Sequence, residues 1–377
     1  MTGSIQIKND KYYAVLNFKD KEGKRKQKWV NLNLPIKNNK RKAEQMLNKL
    51  IVEYEKKKID VLHNQTFSDF MGEWLKVIKS SVKITTYNGY KLHYTKHIKP
   101  YFDNLGIKLM DLSPMHIQDY YNQKITEGLS PSSVKRHHAN IHKALDHALK
   151  LNLIAYNPAD RVTLPKREKY IGKFYNETQL KQLMELCKGT PIESTVYIAI
   201  NYGLRRSEIL GLKWSAIDFE GMSITINHTA VSNVGGVIYD DTTKTKSSLR
   251  TLPLTENVRQ YLLELKAHQE EMERLMGNCY YKNDYVCRHE DGRPIRPDYI
   301  THKFRKILNK SDLPVIRFHD LRHSAASLLI NGGFNLKEVQ DWLGHSDIST
   351  TGNIYSHLQY SAKVNMANHF NNVLTKI

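Results

Sequence analysis

Cysteine is scarce. Three residues in 377, Cys187, Cys279 and Cys287, form no Cys-x-x-Cys pair, which excludes a disulfide framework and a cysteine-built zinc site. They read as free thiols of a reducing compartment. Long apolar runs are absent: no stretch approaches the ~18 residues needed to span a bilayer. The opening MTGSIQIKNDKYY lacks the apolar core of a secretory signal, so the cytoplasm is the expected location. Acidic residues are also in short supply, 38 against 57 Lys and Arg, for a net charge of +19. That excess points to a polyanionic partner. An anionic membrane fits the charge alone, but there is no basic amphipathic anchor or lipidation motif, and no membrane partner is expected. No phosphate-binding GxxxxGKS, internal repeat or low-complexity tract occurs.

What is there falls into three stretches, and the fold class expected is multidomain α+β. Residues 1–62 read as a small β-rich basic module; the first 60 residues carry 16 Lys and Arg against 7 Asp and Glu. Tyr12, Tyr13, Val15, Leu16 and Phe18 mark one strand, DKEG at 20–23 a turn, and Trp29, Val30, Leu32 and Leu34 a second strand. Lys40 to Lys58 reads as a helix, with Met46, Leu47, Leu50 and Ile51 at helical spacing. Such a unit is a solvated basic face or a strand pair for the DNA major groove, and the DNA reading is preferred.

Residues 63–165 read as all-helical. Thr66 caps a helix carrying Phe67, Phe70, Met71, Trp74 and Leu75, and Thr85 is placed as the cap of the next, ending near Pro100. Ser113-Pro114 and Ser130-Pro131 mark two further starts. The last helix carries Val134, Ile141, Leu145 and Leu149, together with Lys135, Arg136, His137, His138, His142 and His147. Histidines this dense raise a metal site, but no acidic or cysteine partner stands in place. A polar face near phosphates is preferred, with a plain solvated face as the alternative. After Asn157-Pro158, VTLPKREKYIGK reads as a linker. Residues 166–377 then read as mixed and mainly helical, with a small antiparallel sheet between Ser223 and Leu254.

Four clusters in this last stretch bear on chemistry. In YGLRRSEILGL (202–212) an arginine set among apolar residues needs an anion or a carboxylate, and a salt bridge from Arg205 or Arg206 to Glu208 is the bland alternative. In TKTKSSLRTLPL (243–254) a turn feeds a strand; a lysine there can reach a phosphate, or the loop is merely solvated. In HDLRHS (319–324) His319 and Arg322 share a helix face at i and i+3, a pairing suited to a phosphate. The competing zinc-protease pattern fails because Asp320 stands where HExxH needs Glu. In LGHSDISTTGNIYSH (343–357) Gly344 ends a helix and leaves His345 in a loop. Tyr355 means little by itself among 22 tyrosines.

In this order, GLRRSE, TKTKSSLRTLPL, HDLRHSAASLL and LGHSDISTTGNIYSH resemble the boxes of the tyrosine recombinase (phage integrase) family, in particular integrases of Gram-positive phages and integrative conjugative elements. The resemblance covers the last stretch strongly and the first two more weakly. It implies that Arg205 is the first catalytic arginine, supported by Glu208, and that Lys244 is the hairpin lysine, with Lys246 as the alternative. It implies that His319 and Arg322 are the His-x-x-Arg pair, His345 the later histidine, and Tyr355 the nucleophile. His345 and Tyr355 stand one residue farther apart than in some relatives.

The chemistry implied is cleavage and rejoining of DNA through a 3′-phosphotyrosyl link, without ATP, metal or other cofactor. Two arginines would hold the nonbridging oxygens, a lysine would protonate the leaving 5′-oxygen, and a histidine would take or position the tyrosine proton. The implied layout is an arm-type DNA-binding module, a helical core-binding (SAM-like) domain and a catalytic domain. The tail with Val364, Met366, Phe370, Val373 and Leu374 would dock on a neighbour within a homotetramer on double-stranded attachment-site DNA. An accessory DNA-bending or excision factor fits the same scheme. The rivals are a DNA-binding regulator without catalysis, which leaves Arg205, His319, Arg322 and Tyr355 unexplained together, and a type IB topoisomerase-like enzyme.

Overall fold

The structure, a computed structural model, describes residues 2–19, 25–166, 173–233, 236–240 and 249–344. The chain divides into two compact units, Met1–Glu168 and Lys169–Ile377.

The first unit begins with strands β1 (Thr2–Lys8), β2 (Lys11–Lys19) and β3 (Arg25–Pro35), which pair antiparallel in that order. The strand β1 has too few apolar residues to show in the sequence; its partner β2 determines its register. Helix α1 (Lys40–His63) covers one face. Tyr12, Ala14, Leu16 and Leu32 point to that side and close on Ala43 and Leu47, as the two-residue strand period requires.

Next come α2 (Phe67–Ile78), α3 (Ile84–His93), α4 (Lys99–Leu105), α5 (Pro114–Thr126) and α6 (Pro131–Lys150). Thr66 caps α2, its Oγ1 accepting the Asp69 N–H at 3.1 Å. Thr85 does not cap α3: the helix starts one residue earlier, with Lys83 before it and no side-chain cap. The chain also runs past Pro100. A wide π turn at Tyr94–Ile98 joins α3 to α4, and Pro100 falls directly after it, in the first turn of α4. At the starts of α5 and α6, Ser113 N–H donates to His116 Nδ1 at 3.1 Å and Ser130 Oγ accepts the Ser133 N–H at 3.2 Å. Phe67, Met71, Phe102, Tyr120, Val134, Ile141 and Leu145 build the core of this bundle.

The second unit runs α7 (Glu177–Cys187), α8 (Glu193–Tyr202), α9 (Arg206–Gly211), β4 (Ile217–Asp218), β5 (Ser223–Ile226), β6 (Thr229–Asn233), β7 (Gly236–Asp240) and β8 (Arg250–Pro253). It continues with α10 (Glu256–Met276), α11 (Pro297–Leu308), α12 (Asp320–Asn331) and α13 (Leu336–Leu343). Among the described residues β4, β5 and β8 form one small antiparallel sheet and β6 and β7 a ribbon. The fold is thus mixed and mainly helical, with β5 to β8 in the expected stretch and β4 just before it. Ile198, Leu210, Ile224, Leu252, Leu262, Phe304 and Leu321 lie in one continuous core. No helix among the described residues is long and apolar enough to cross a membrane.

Candidate active site

Three arginines from three elements converge on the end of α13. Asn335 starts that helix, its side chain accepting the Lys337 and Glu338 N–H groups while Glu338 accepts the Asn335 N–H. Gly344 ends it in the left-handed conformation, φ 69°, as its sequence position implied. A helix end leaves its last carbonyls without intrahelical donors. Here the Trp342 carbonyl accepts from Arg250 Nε at 2.9 Å, Leu343 from Arg322 Nη2 at 2.7 Å, and Gly344 from Arg205 Nη2 at 2.6 Å.

Arg205 sits just before α9. Its backbone N–H donates to Glu208 Oε2 at 3.0 Å and its Nη1 to Glu208 Oε1 at 2.5 Å. The salt bridge weighed against an anion role therefore exists, and it leaves the outer edge of Arg205 toward solvent, the side chain being 31% exposed. The neighbouring Arg206 hydrogen-bonds Thr301 instead. Glu208 is buried and also accepts from Arg250 Nη2 at 3.1 Å. Burial works to raise its pKa, but Arg250 and Arg205 outweigh burial and hold it below the usual glutamate range.

Arg322, on α12, is among the largest fully buried side chains. Besides Leu343 it donates from Nη1 to the Gly203 carbonyl at 2.9 Å. Gly203 has φ 61°, and a Cβ there would stand 2.6 Å from Leu343 Cδ2 and 2.9 Å from Ala325 Cβ. Glycine is thus required where α8, α12 and α13 meet. Burial, then the charge of Arg205, pull the Arg322 guanidinium down to about 9, with Glu208 offsetting part of this. Its positive charge is strained by its surroundings, which an arriving anion relieves.

His319 does not lie within a helix; it is the residue before α12, still one turn from Arg322. The residue is exposed taken whole, yet desolvation of its ring by the protein around it, then His323 and Arg322, lower its pKa to about 4. The imidazole is neutral near pH 7, so it can accept or pass on a proton. The ring of His323 meets it edge-on, with centroids 5.4 Å apart. Asp320, standing where a zinc protease needs Glu, is buried and paired with Arg317, Nη2 to Oδ1 at 2.7 Å. Among the described residues no group of three or more His, Cys, Asp and Glu side chains converges to hold a metal ion.

Sequence reasoning passed over Arg250, although it stands within the TKTKSSLRTLPL stretch; its position at the head of an alternating strand was the available signal. Lys244, Lys246, His345 and Tyr355 lie outside the described residues, as do the DKEG turn, part of the linker and the C-terminal tail.

The histidines of α6 are corrected in kind. His137 is buried, its Nδ1 2.9 Å from Tyr120 Oη, and His138 Nδ1 lies 3.0 Å from Tyr121 Oη. His142 does have acidic partners, Asp146 at 3.1 Å and Asp160 at 2.7 Å. These pairs tie α6 to α5 and to the turn after it, in place of the preferred phosphate-facing role for His137 and His138.

A mainly helical unit that gathers three arginines at one helix end, one of them part exposed, has the donors an oxyanion such as a phosphate needs. The sequence pattern of the phage integrase family matches residues 173–362, and that of the phage integrase N-terminal SAM-like domain residues 66–125. The tyrosine recombinase XerC-like protein of Caldanaerobacter subterraneus subsp. tengcongensis is 32% identical over 328 residues, covering 82% of this chain and 83% of that protein. The ICEBs1 integrase of Bacillus subtilis is 28% identical over 312 residues, covering 82% and 83%. Among solved structures, the Tn1549 transposon integrase in complex with transposon right end DNA aligns with TM-score 0.67 at 21% identity, covering 81% of this chain and 99% of that one. A lambda integrase dimer bound to a COC′ core site aligns with TM-score 0.57 at 16% identity, covering 93% of each. The chain belongs to the phage integrase family and is a tyrosine-type site-specific DNA recombinase.

Proposed function

We propose that the protein integrates and excises a mobile element by cutting double-stranded attachment-site DNA through Tyr355. Arg205 and Arg322 hold the nonbridging oxygens of the scissile phosphate, where transition-state charge builds. The Tyr355 oxygen attacks phosphorus, the bond to the 5′-oxygen breaks, and a 3′-phosphotyrosyl link forms. Lys244, or Lys246 in its place, gives the leaving oxygen its proton, and His319 and His345 take up and steer the tyrosine proton. One phosphoester replaces another, so the bond energy is kept for rejoining without ATP.

The observation that carries this reading is the convergence of Arg205, Arg250 and Arg322 at the C-terminus of α13, directly before His345 and Tyr355 in the chain.

The remaining parts follow the same logic. The module 1–62 reads arm-type sites: the sheet face away from α1 carries the cross-strand rows Thr2, Asn17 and Gln27; Ser4, Val15 and Trp29; Gln6, Tyr13 and Asn31. The polar members of these rows, Thr2, Ser4, Gln6, Asn17, Gln27 and Asn31, suit base edges in a major groove. Residues 63–165 bind the core site and 166–377 carry the chemistry. The active form is a homotetramer on DNA in the cytoplasm, joined by a DNA-bending or excision factor.

The test uses a nicked suicide duplex carrying the element's end sequence, incubated with wild type and with Tyr355→Phe. A denaturant-resistant protein–DNA adduct from wild type alone is expected. DNA binding by both without an adduct overturns the catalytic reading, and an adduct from the Phe variant assigns the nucleophile elsewhere.

A further inference from the structure

We infer that Arg250 is a positioning residue of the recombination centre, a single side chain that locks three catalytic segments together. The inference rests on the proposed roles of Arg205, Arg322 and Tyr355.

Arg250 opens β8, four residues after Lys246. Its Nε donates to the Trp342 carbonyl and its Nη2 to Glu208 Oε2. Glu208 in turn grips both the backbone and the guanidinium of Arg205. Arg250 therefore ties the strand that follows the lysine loop to the carboxylate that aims the first catalytic arginine. It also ties both to the helix end from which His345 and Tyr355 continue.

The three arginines at that helix end are not equivalent. Arg205 is part exposed, and a phosphate oxygen can approach its outer edge. A phosphate that engages Arg205 and Arg322 draws on the same N–H groups that now serve Gly344 and Leu343. Arg250, its side chain 8% exposed, differs from the still more deeply buried Arg322 in its partners: its planar fork bridges the Glu208 carboxylate and the Trp342 carbonyl inside the unit. Its bond to Trp342 thus persists while the other two adjust, so α13 keeps its place when the phosphate arrives. A cation at a helix C-terminus is favourable in itself, and the two-ended geometry is one that arginine makes and lysine cannot. Tyr202 stacks on the Trp342 ring, centroids 6.0 Å apart and planes within 10°, so the same residue is held from its side-chain end as well.

The experiment compares full-length wild type, Arg250→Gln and Arg250→Lys on the nicked duplex that wild type cleaves. DNA affinity and its salt dependence are measured beside single-turnover adduct formation. Hydrogen exchange is followed over 336–344. Arg250→Gln is expected to bind DNA as wild type does, with an unchanged salt slope, and to form adduct about 10²-fold more slowly, as small misplacements of catalytic groups do. Arg250→Lys is expected to fall between, about tenfold down, because it serves one partner at a time. Exchange over 336–344 should rise in both.

Wild-type cleavage by a folded Arg250→Gln chain overturns the inference. So does a fall in affinity with a salt slope reduced by about one, which marks a direct phosphate contact. Should the glutamine variant fail to fold, the lysine variant decides, and a full wild-type rate there overturns the bridging role. Absence of an adduct from wild type refutes the proposed chemistry instead. Exchange over 336–344 then reports separately on the hold of Arg250 on α13, and unchanged protection overturns it.

Discussion

The two units bury polar groups in opposite ways. In the first, helix α6 hides His137 beside Tyr120, with His93 and His97 packed against it at ring-centroid distances of 5.1 and 4.9 Å. In the second, α12 hides Arg322 beside Arg205 and Arg250. The histidines shed their charge: burial, then their mutual repulsion, lower His137 to about 3. A neutral imidazole and a phenol satisfy each other, and the cluster is scaffold. The arginines keep theirs and are stabilised by helix-end carbonyls and by Glu208. Burial of groups able to discharge builds structure, whereas burial of like charges that cannot discharge builds a site for a counter-charge. The residues that looked most like a ligand cluster in the sequence are the structural ones.

Substitutions can break or sharpen that contrast. The largest effect is expected from Arg322→Ala. It removes the proposed transition-state donor and leaves the Gly203 and Leu343 carbonyls short of a partner, so adduct formation should fall about 10²- to 10³-fold. Single-turnover cleavage of the nicked duplex measures it, and activity within tenfold of wild type contradicts the assignment. Glu208→Gln comes next. It strips the buried carboxylate from two arginines and should cost about 3 kcal/mol in equilibrium unfolding of the second unit. A loss under about 1 kcal/mol means that the carbonyls alone hold the arginines.

On the scaffold side, Tyr120→Phe leaves buried His137 Nδ1 without its partner and should cost about 1–3 kcal/mol of stability with no change in adduct rate per folded molecule. A slower reaction with undiminished stability reverses the division drawn between the units. The pH dependence follows the same cluster. His93, His97, His137 and His138 all have lowered pKa values, mainly through burial. Unfolded imidazoles bind protons near pH 6.5 that the folded ones refuse. Stability from these groups is therefore complete above pH 6.5 and drains away as pH falls toward 3. Urea titrations at pH 7 and pH 5 monitored in the first unit should show it, and His137→Phe should flatten the slope. Smallest is His142→Ala: its partners Asp146 and Asp160 are half exposed, and the change should be at most about 1 kcal/mol. A large loss of DNA affinity there would restore the phosphate-facing reading of α6.

Local signals carried much of the fold. The caps at Thr66 and Ser130, the αL glycine at 344 and the alternation in β2 and β3 act through neighbours a few residues away, and each stands where the sequence placed it. Thr85 misled because α3 begins at Ile84 with no side-chain cap, and Pro100 misled because the π turn at Tyr94–Ile98 carries the helical path past it. In the second unit the order of motifs was enough to identify the family, since residue type and spacing persist when overall identity is low.

By itself, then, the sequence determined the class of chemistry, through its basic excess and four ordered clusters. Only the tertiary structure decided which arginine serves which partner. Glu208 could have paired with Arg205 or Arg206; the turn at Gly203 aims Arg205 at it and sends Arg206 to Thr301. Arg250, 42 residues from Glu208 and 92 from Trp342, joined the centre with only its place at the head of an alternating strand to mark it. The physical reason is range: caps and strand periods depend on bonds between near neighbours, while a buried guanidinium finds its acceptors wherever folding brings carbonyls and carboxylates within 3 Å or so of it.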